Sequence, residues 1–305
     1  MMHDIIVVGA GCAGLSAGLY AARAGLNTLI IEKMFPGGQI TRTQSVENYP
    51  GFPEGVQGLD LAMMFKNHAE RAGAVIETAE VTGFDIEGAE KKIVTANNIY
   101  KAKTVVLAMG ASHRELGLSS EKKFIGSGVS YCATCDGTFF RGKNVAVIGG
   151  GDTAVGDALY LAKLAKHVYL VHRRDELRAQ KALQKTALQN ELIEFVWDSE
   201  VLEIEGEDSI NAIRVRNKKT FEERAIDVSG VFIAVGTSPH TQELTDIIDT
   251  DELGYIVTDN GMHTSIAGVF AAGDIVAKPL RQVVTAAADG AIAAFGARSY
   301  IRGNE

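Results

Sequence analysis

The chain has 305 residues, 46% hydrophobic and 22% charged, the balance of a soluble globular protein long enough for two domains. Its formal net charge of -8 leaves no basic surplus to neutralise phosphates and argues against nucleic acid as a partner. Apolar runs fall short of a membrane span, and the N-terminus lacks the basic leader and small-residue cleavage site of a signal peptide; the expectation is a cytoplasmic protein with no membrane association.

The first predicted elements form a strand–loop–helix–strand unit. IIVVGAGCAG places Gly9, Gly11 and Gly14 in a G-x-G-x-x-G pattern, LSAGLYAARAG continues as a helix, and the strand NTLIIEK ends with Glu32. The spacing has a physical basis. The first glycine permits the tight turn, the second lets backbone approach a pyrophosphate, and the third packs helix against strand. The helix N-terminus then points at the anion, and an acid about 20 residues on accepts hydrogen bonds from a ribose. Glycine-rich turns alone are common, but the complete set of strand, helix, second strand and acid is a strong signal.

Short alternating strands follow in EVTGFDIEGAEKKIVTANNIYKAK, and the apolar strand VVLAMGAS (105–112) closes the unit. Next comes YCATCDGTFF (131–140), with two of the three cysteines of the chain. A Cys-x-x-Cys pair followed by aspartate is open to three readings: half of a zinc clamp, a structural staple, or a redox couple.

The nucleotide pattern then recurs. NVAVIGGGDTAVGDALYLAKLAKHVYLVHRR has Gly149, Gly151 and Ala154 at the three fingerprint positions, and both Gly9 to Glu32 and Gly149 to His172 span 23 residues. In place of an acid the second unit has His172, then Arg173 and Arg174, with Arg178 one helical turn further. Loss of the acid and gain of guanidinium groups suits a 2′-phosphate. The first loop is therefore expected to take an FAD-type or NAD-type adenosine, and the second NADPH. VFIAVGTS (231–238) closes this unit as VVLAMGAS closes the first, so the repeat implies two dinucleotide domains. A third apolar strand, VFAAGD, ends at Asp274, open to two readings: a simple turn aspartate, or a group suited to holding the polyol hydroxyls of a flavin.

Along nearly its whole length the chain resembles the low-molecular-weight thioredoxin reductases, FAD-containing pyridine nucleotide–disulfide oxidoreductases. The motifs are GAGCAG, GGQI with ENYPGFP, the CATCD box, GGGDTA, HRRDELR, FIAVGTSP, and TSIAGVFAAGDI followed by RQVVTAAADG. The resemblance implies an α/β fold of two Rossmann-like three-layer dinucleotide-binding domains, the second inserted into the first. Residues 1–113 and 241–305 would form the FAD domain, and 114–240 the NADPH domain carrying the cysteine pair. It also implies that Gln39, Asn48, Gly110, Asp274, Arg281 and Gln282 line the flavin, and that Asp152 and Thr153 of GGGDTA join the NADPH loop. A homodimer and a thioredoxin or thioredoxin-like protein substrate are implied as partners.

A zinc site usually takes four ligands. Beyond Cys132 and Cys135 only Cys12 remains, and the seven histidines show no H-x-x-x-H spacing. A structural disulfide around so small a loop would restrain the unfolded chain little, and a reducing cytosol opposes it. The redox reading leads, and Cys12 is expected as a small buried residue packing the first loop. The family relay would run from NADPH to flavin, to the Cys132–Cys135 disulfide, to a protein disulfide through a mixed disulfide. Asp136 would serve as acid/base, its competing role being an N-cap or turn aspartate. One of Phe139 and Phe140 is expected in the core. Because NADPH and the disulfide would share a domain, the resemblance also implies rotation about connections near Ala111–Gly117 and Gly236–Thr241. Departures from the commonest family pattern are Gly156 in place of an acid, Ala267 in place of a frequent proline, and KPL in place of the usual aromatic before Arg281. The competing readings are a flavin-dependent disulfide reductase fed by ferredoxin, a ferredoxin–NADP reductase, and a flavin-bound scaffold with a regulatory cysteine pair. The first would be expected to lose the GxGxxA and HRRxxxR signatures, both intact here, and the second lacks the cysteines.

Overall fold

The computed structural model describes residues 2–43 and 45–303. The chain divides into two compact units, Met1–Ser112 with Ser238–Glu305, and His113–Thr237. In the first segment β1 (Met2–Val8) leads through the glycine loop to α1 (Cys12–Arg23) and β2 (Thr28–Glu32). Then come α2 (Gly58–Arg71), β3 (Val75–Thr78), the hairpin β4 (Val81–Asp85) and β5 (Lys91–Thr95), and β6 (Ile99–Leu107).

The chain crosses at β7 (Ala111–His113) into α3 (Ser119–Lys123), β8 (Val129–Ser130) and the one-turn α4 (Ala133–Asp136). The second nucleotide pattern gives β9 (Asn144–Gly149), α5 (Asp152–Leu161) and β10 (His167–Val171), followed by α6 (Lys181–Leu188) and β11 (Ile193–Val196). An antiparallel sheet of β12 (Ser199–Gly206), β13 (Ile210–Asn217) and β14 (Glu223–Asp227) precedes β15 (Gly230–Ala234). The chain returns through β16 (Thr237–Pro239), which pairs with β7, to β17 (Val269–Ala271) and the long α7 (Val283–Gly303).

Each unit is built the same way. In the first, the sheet order is β3-β2-β1-β6, parallel throughout, with β17 parallel and β5 antiparallel along different stretches of β6. In the second, the order is β11-β10-β9-β15-β8, again parallel. The central strands are buried on both faces, and their alternating side chains feed separate cores. Ile5 and Val7 of β1 pack with α1 and α7, while Ile6 and Val8 pack with the hairpin and with Leu244, Ile248 and Ile256. In the second unit, Val145 and Val147 pack with α5, while Ala146 and Ile148 pack with Ile204, Ile213, Val215 and Ile226. Helices, parallel sheet and antiparallel strands are thus the three layers, as the α/β reading expects. Each fully buried aliphatic side chain here contributes roughly 1.5–3 kcal/mol of apolar burial.

The strand orders also locate the crevices. In each sheet the connection reverses direction beside the first strand, between β1 and β6 and between β9 and β15. Ligands bind open α/β sheets at such switch points, beyond the carboxyl ends of the strands. Both glycine loops lie there.

Candidate functional site

The first loop is held tightly. Gly9 has φ +100, and a Cβ on it would sit 2.5 Å from the Ala108 carbonyl oxygen at the end of β6. A Cβ on Gly14 would lie 1.8 Å from the Gly9 carbonyl oxygen, so this glycine is what lets α1 seat on its own loop. Gly11 differs. Its φ of -74 and ψ of -175 suit any residue, and the nearest atom to its Cβ position is the Gly38 Cα at 4.0 Å. Neither backbone nor packing requires glycine there, so the space beside Gly11 is room for something outside the protein. No side chain caps the N-terminus of α1, leaving backbone N–H groups directed toward that space. At the end of β2, the Glu32 carboxylate accepts the Ala10 N–H at 2.8 Å and the Met34 N–H at 3.1 Å.

The remaining predicted flavin residues gather in the same unit. Gly37 donates its N–H to the Ala10 carbonyl at 2.7 Å, laying GGQI against the glycine loop. Gln39 donates from Nε2 to the Ala111 carbonyl, and Asn48 Nδ2 donates to Gln282 Oε1 at 2.9 Å across 234 residues of sequence. Gly110 has φ +70 and open space around its Cβ position. Arg281 donates to the Asp274 and Val276 carbonyls at 3.3 and 3.1 Å, with its guanidinium 3.9 Å from the centre of the Tyr255 ring. The Asp274 Oδ1 is buried without a hydrogen-bond partner. Burial raises its carboxyl above the ordinary range, with Lys278 and Arg281 pulling it back down. A buried acceptor is seldom left unmatched, and this one fits a hydroxyl-bearing ligand. Cys12 is 8% exposed, and its thiol is pushed up to about 12, first by burial and then by the charge of Asp274. It stays protonated, a packing residue as expected.

The second loop repeats the first. A Cβ on Gly149 would lie 2.3 Å from the Ala234 carbonyl oxygen, the counterpart of Gly9 against Ala108. Gly151, with φ -91, has nothing within 4 Å of its Cβ position. Ala154 is fully buried, Thr153 is exposed, and Asp152 holds the Gln180 N–H at 2.7 Å. His172 is only 5% exposed, and its ring lies under Gly150, where any Cβ would meet it at 2.3 Å. Its Nε2 is buried without a partner. Burial first, then the nearby Arg178, Arg173 and Arg174, keep the imidazole below its usual range and so neutral. From Arg173 to Gln180 the chain runs in bends and not as a helix. Arg178 therefore arrives by a turn that donates its own N–H to the Gly150 carbonyl at 2.7 Å, because α6 does not begin until Lys181. Arg173, Arg174 and Arg178 are all exposed, and among the described residues none of their guanidinium groups forms an ion pair.

Cys132 and Cys135 form a disulfide with a Cα–Cα separation of 5.3 Å, in the same unit as the second loop. Cys132 caps the one-turn α4, its carbonyl accepting the Cys135 and Asp136 N–H groups at 3.2 and 3.1 Å. Asp136 stands at the N-cap position of the short 3-10 turn Gly137–Phe140, without a side-chain cap hydrogen bond; its carboxylate is engaged elsewhere. It accepts the Ser130 hydroxyl at 2.6 Å, and the Ser130 oxygen takes the Cys132 N–H at 3.0 Å. Ser130 was missed by sequence reasoning; its only signal was its place two residues before the first cysteine. The two phenylalanines separate. Phe140 packs edge-on against Phe232 at 5.3 Å, whereas Phe139 is 48% exposed.

A profile of the pyridine nucleotide-disulphide oxidoreductase family matches residues 3–290. The chain is 46% identical over 299 residues to a thioredoxin reductase of Treponema pallidum (strain Nichols), covering 98% of this chain and 97% of that protein. It is 44% identical over 302 residues to a bifunctional thioredoxin reductase/thioredoxin of Mycobacterium leprae (strain TN), covering 98% of this chain and 66% of that protein. Among solved structures, thioredoxin reductase from Streptococcus pyogenes MGAS5005 matches with a TM-score of 0.94 at 44% identity, covering 99% of each chain.

Proposed function

The chain belongs to the pyridine nucleotide-disulphide oxidoreductase family, and within it we propose that the protein is an NADPH-dependent thioredoxin-disulfide reductase. The carrying observation is the Cys132–Cys135 disulfide, placed in one unit with a glycine loop rimmed by three exposed arginines. FAD supplies a two-electron relay between nicotinamide and sulfur; net, NADPH and a proton convert a substrate disulfide to a dithiol and NADP⁺.

The chain's own residues bind, orient and manage protons. Gly9, Gly11 and Gly14 with the α1 N-terminus hold the FAD pyrophosphate, and Glu32 its ribose. Asp274 offers its free oxygen to the polyol, while Gln39, Asn48, Gly110, Arg281 and Gln282 frame the ring end. In the second unit Gly149, Gly151, Asp152, Thr153 and Ala154 form the NADPH cradle. Arg173, Arg174 and Arg178 take the 2′-phosphate, and neutral His172 supports the loop from beneath. When one thiolate of the Cys132–Cys135 pair attacks the substrate disulfide, Asp136, fixed by Ser130, protonates the departing sulfur. The fused thioredoxin module named in the Mycobacterium leprae relative supports a thioredoxin as the substrate. A ferredoxin donor is not favoured, since both NADPH signatures are intact.

The reading includes rotation of the inserted domain about Ala111–Gly117 and Gly236–Thr241, where Gly117 and Gly236 have φ +83 and +108. It also includes a cytoplasmic homodimer. Among the described residues no helix is long and apolar enough to cross a membrane. Val284, Ile292 and Phe295 expose an apolar stripe on α7 at 40, 39 and 62%, the kind of surface a second copy would cover. The test is a thioredoxin-coupled assay comparing NADPH with NADH. NADPH is expected to lead by at least about tenfold in kcat/KM, the effect of one charge-assisted contact, and Cys132→Ser and Cys135→Ser to abolish disulfide reduction. Equal use of the two nucleotides would refute the arginine assignment, and reduction surviving both cysteine variants would refute the relay.

A further inference from the structure

Behind Asp274 stands a group with no place in the nucleotide fingerprint. The Lys278 Nζ lies 2.6 Å from Asp289 Oδ2 and 4.0 Å from Asp274 Oδ1, with the Lys278 and Asp289 side chains 12% and 13% exposed. Asp289, from α7, also accepts the Gly273 N–H at 3.0 Å on the same oxygen. One carboxylate therefore tethers both the ammonium and the turn that presents Asp274. At 4.0 Å the ammonium is close enough to exert its charge on Asp274 but too far to hydrogen-bond it. The buried Asp274 Oδ1 is left an open acceptor.

Arg281 acts on Asp274 by charge in the same direction as Lys278, while its guanidinium hydrogen-bonds the Asp274 and Val276 carbonyls and stacks on the Tyr255 ring. From α1, the Cys12 thiol is neutral, held up to about 12. Asp289 carries a negative charge of its own, which works against the ionisation of Asp274.

We propose that Lys278 is a positioning residue of the flavin site: tethered by Asp289, it keeps Asp274 ionised and unoccupied as the acceptor for a polyol hydroxyl of FAD. The inference rests on the FAD reading of the first unit. It gives Lys278, four residues beyond Asp274, a purpose. It also separates two charges by sign. Removing the cation makes Asp274 easier to protonate, and removing the Asp289 charge makes it harder.

The experiment follows flavin fluorescence released from the holoprotein as pH is lowered from about 8 to about 4. Lys278→Met is expected to raise the midpoint of acid release by about one unit and to weaken FAD affinity at neutral pH about tenfold. Lys278→Arg should restore both. Asp289→Asn should lower the midpoint, because the like charge that favours protonation of Asp274 is gone, although affinity falls as the turn loosens. A structural pin would move both variants the same way, so an upward shift or none in Asp289→Asn, or no shift in Lys278→Met, overturns the proposal. If Lys278→Met does not fold, Asp289→Asn decides alone: a downward shift supports the inference, and no shift or an upward one refutes it. A wild-type protein that carries no FAD would overturn the flavin reading itself and this inference with it.

Discussion

Gly151→Ala separates what the second glycine loop does for the fold from what it does for a ligand. The residue has φ -91 and ψ -177, which alanine adopts freely, and its Cβ position has no atom within 4 Å. Folding should therefore tolerate the methyl. The smaller conformational freedom of the unfolded chain should add about 0.4–1 kcal/mol of stability, a rise in Tm of roughly 1–4 °C for a protein this size. Nucleotide binding should respond in the opposite direction, because the methyl occupies the space proposed for the pyrophosphate. A loss of even one charge-assisted hydrogen bond there costs about 1.5–3 kcal/mol, an NADPH KM higher by roughly ten- to a hundredfold. Gly14→Ala is the contrasting control, since its Cβ would overlap the Gly9 carbonyl at 1.8 Å; that protein should lose its fold. The two readouts are a thermal melt without nucleotide and the NADPH dependence of flavin bleaching. An NADPH KM within about twofold of wild type in a stable Gly151→Ala protein would refute the claim that this space belongs to the pyrophosphate.

Two further outcomes follow from the charge environment. Burial raises the Asp157 carboxyl on α5 to about 7. From its ordinary value up to about 7 the folded protein keeps a proton that the unfolded chain has released, so stability falls across that window as pH rises. Asp157→Asn should gain on wild type over the same window and plateau above it. The advantage, discounted for partial exposure, is about 1–2 kcal/mol. Melts at several pH values check this, and an advantage that shrinks with rising pH would contradict it. Ser130→Ala should leave flavin reduction by NADPH unchanged but slow thioredoxin reduction by about tenfold, with its acid limb shifted, because Asp136 loses its hydroxyl donor. Equal slowing of both half-reactions would assign Ser130 to folding alone.

Much of the fold was legible because it is written in local periodicity. Ile5, Ile6, Val7 and Val8 form a continuous apolar run, and such a run marks a strand covered on both faces. The glycine spacings fixed the loops and which end of each sheet they occupy. The details that sequence could not supply arise where side chains from distant positions meet. Asn48 and Gln282 were each assigned to the flavin, yet nothing in either motif says that they hydrogen-bond to one another. Ser130 and Asp289 carry no fingerprint because their partners are a carboxylate six residues on and a backbone N–H sixteen residues back. The turn through Arg178 was missed for a related reason. Its residues have ordinary helix propensity, but the Gly150 carbonyl captures the Arg178 N–H first, a tertiary bond that overrides propensity.

The equivalence of the two units goes deeper than the repeated glycines, and it constrains how their specificities can differ. In both, the first glycine is pressed against the carbonyl of an alanine closing the neighbouring parallel strand, Ala108 or Ala234. In both, the second glycine faces open space. At these two positions the loops are alike, although the third is Gly14 in one and Ala154 in the other, and on the proposed reading the shared part does not distinguish the dinucleotides. Discrimination must come from the end of the second strand, where Glu32 leans on the Ala10 N–H in one unit and His172 is buried under Gly150 in the other. A neutral ring in place of an acid at that position leaves no carboxylate to repel a phosphate, and Arg173 and Arg174 after it are exposed. On the proposed reading the same backbone serves a bare ribose at one site and a phosphorylated one at the other, through side chains alone.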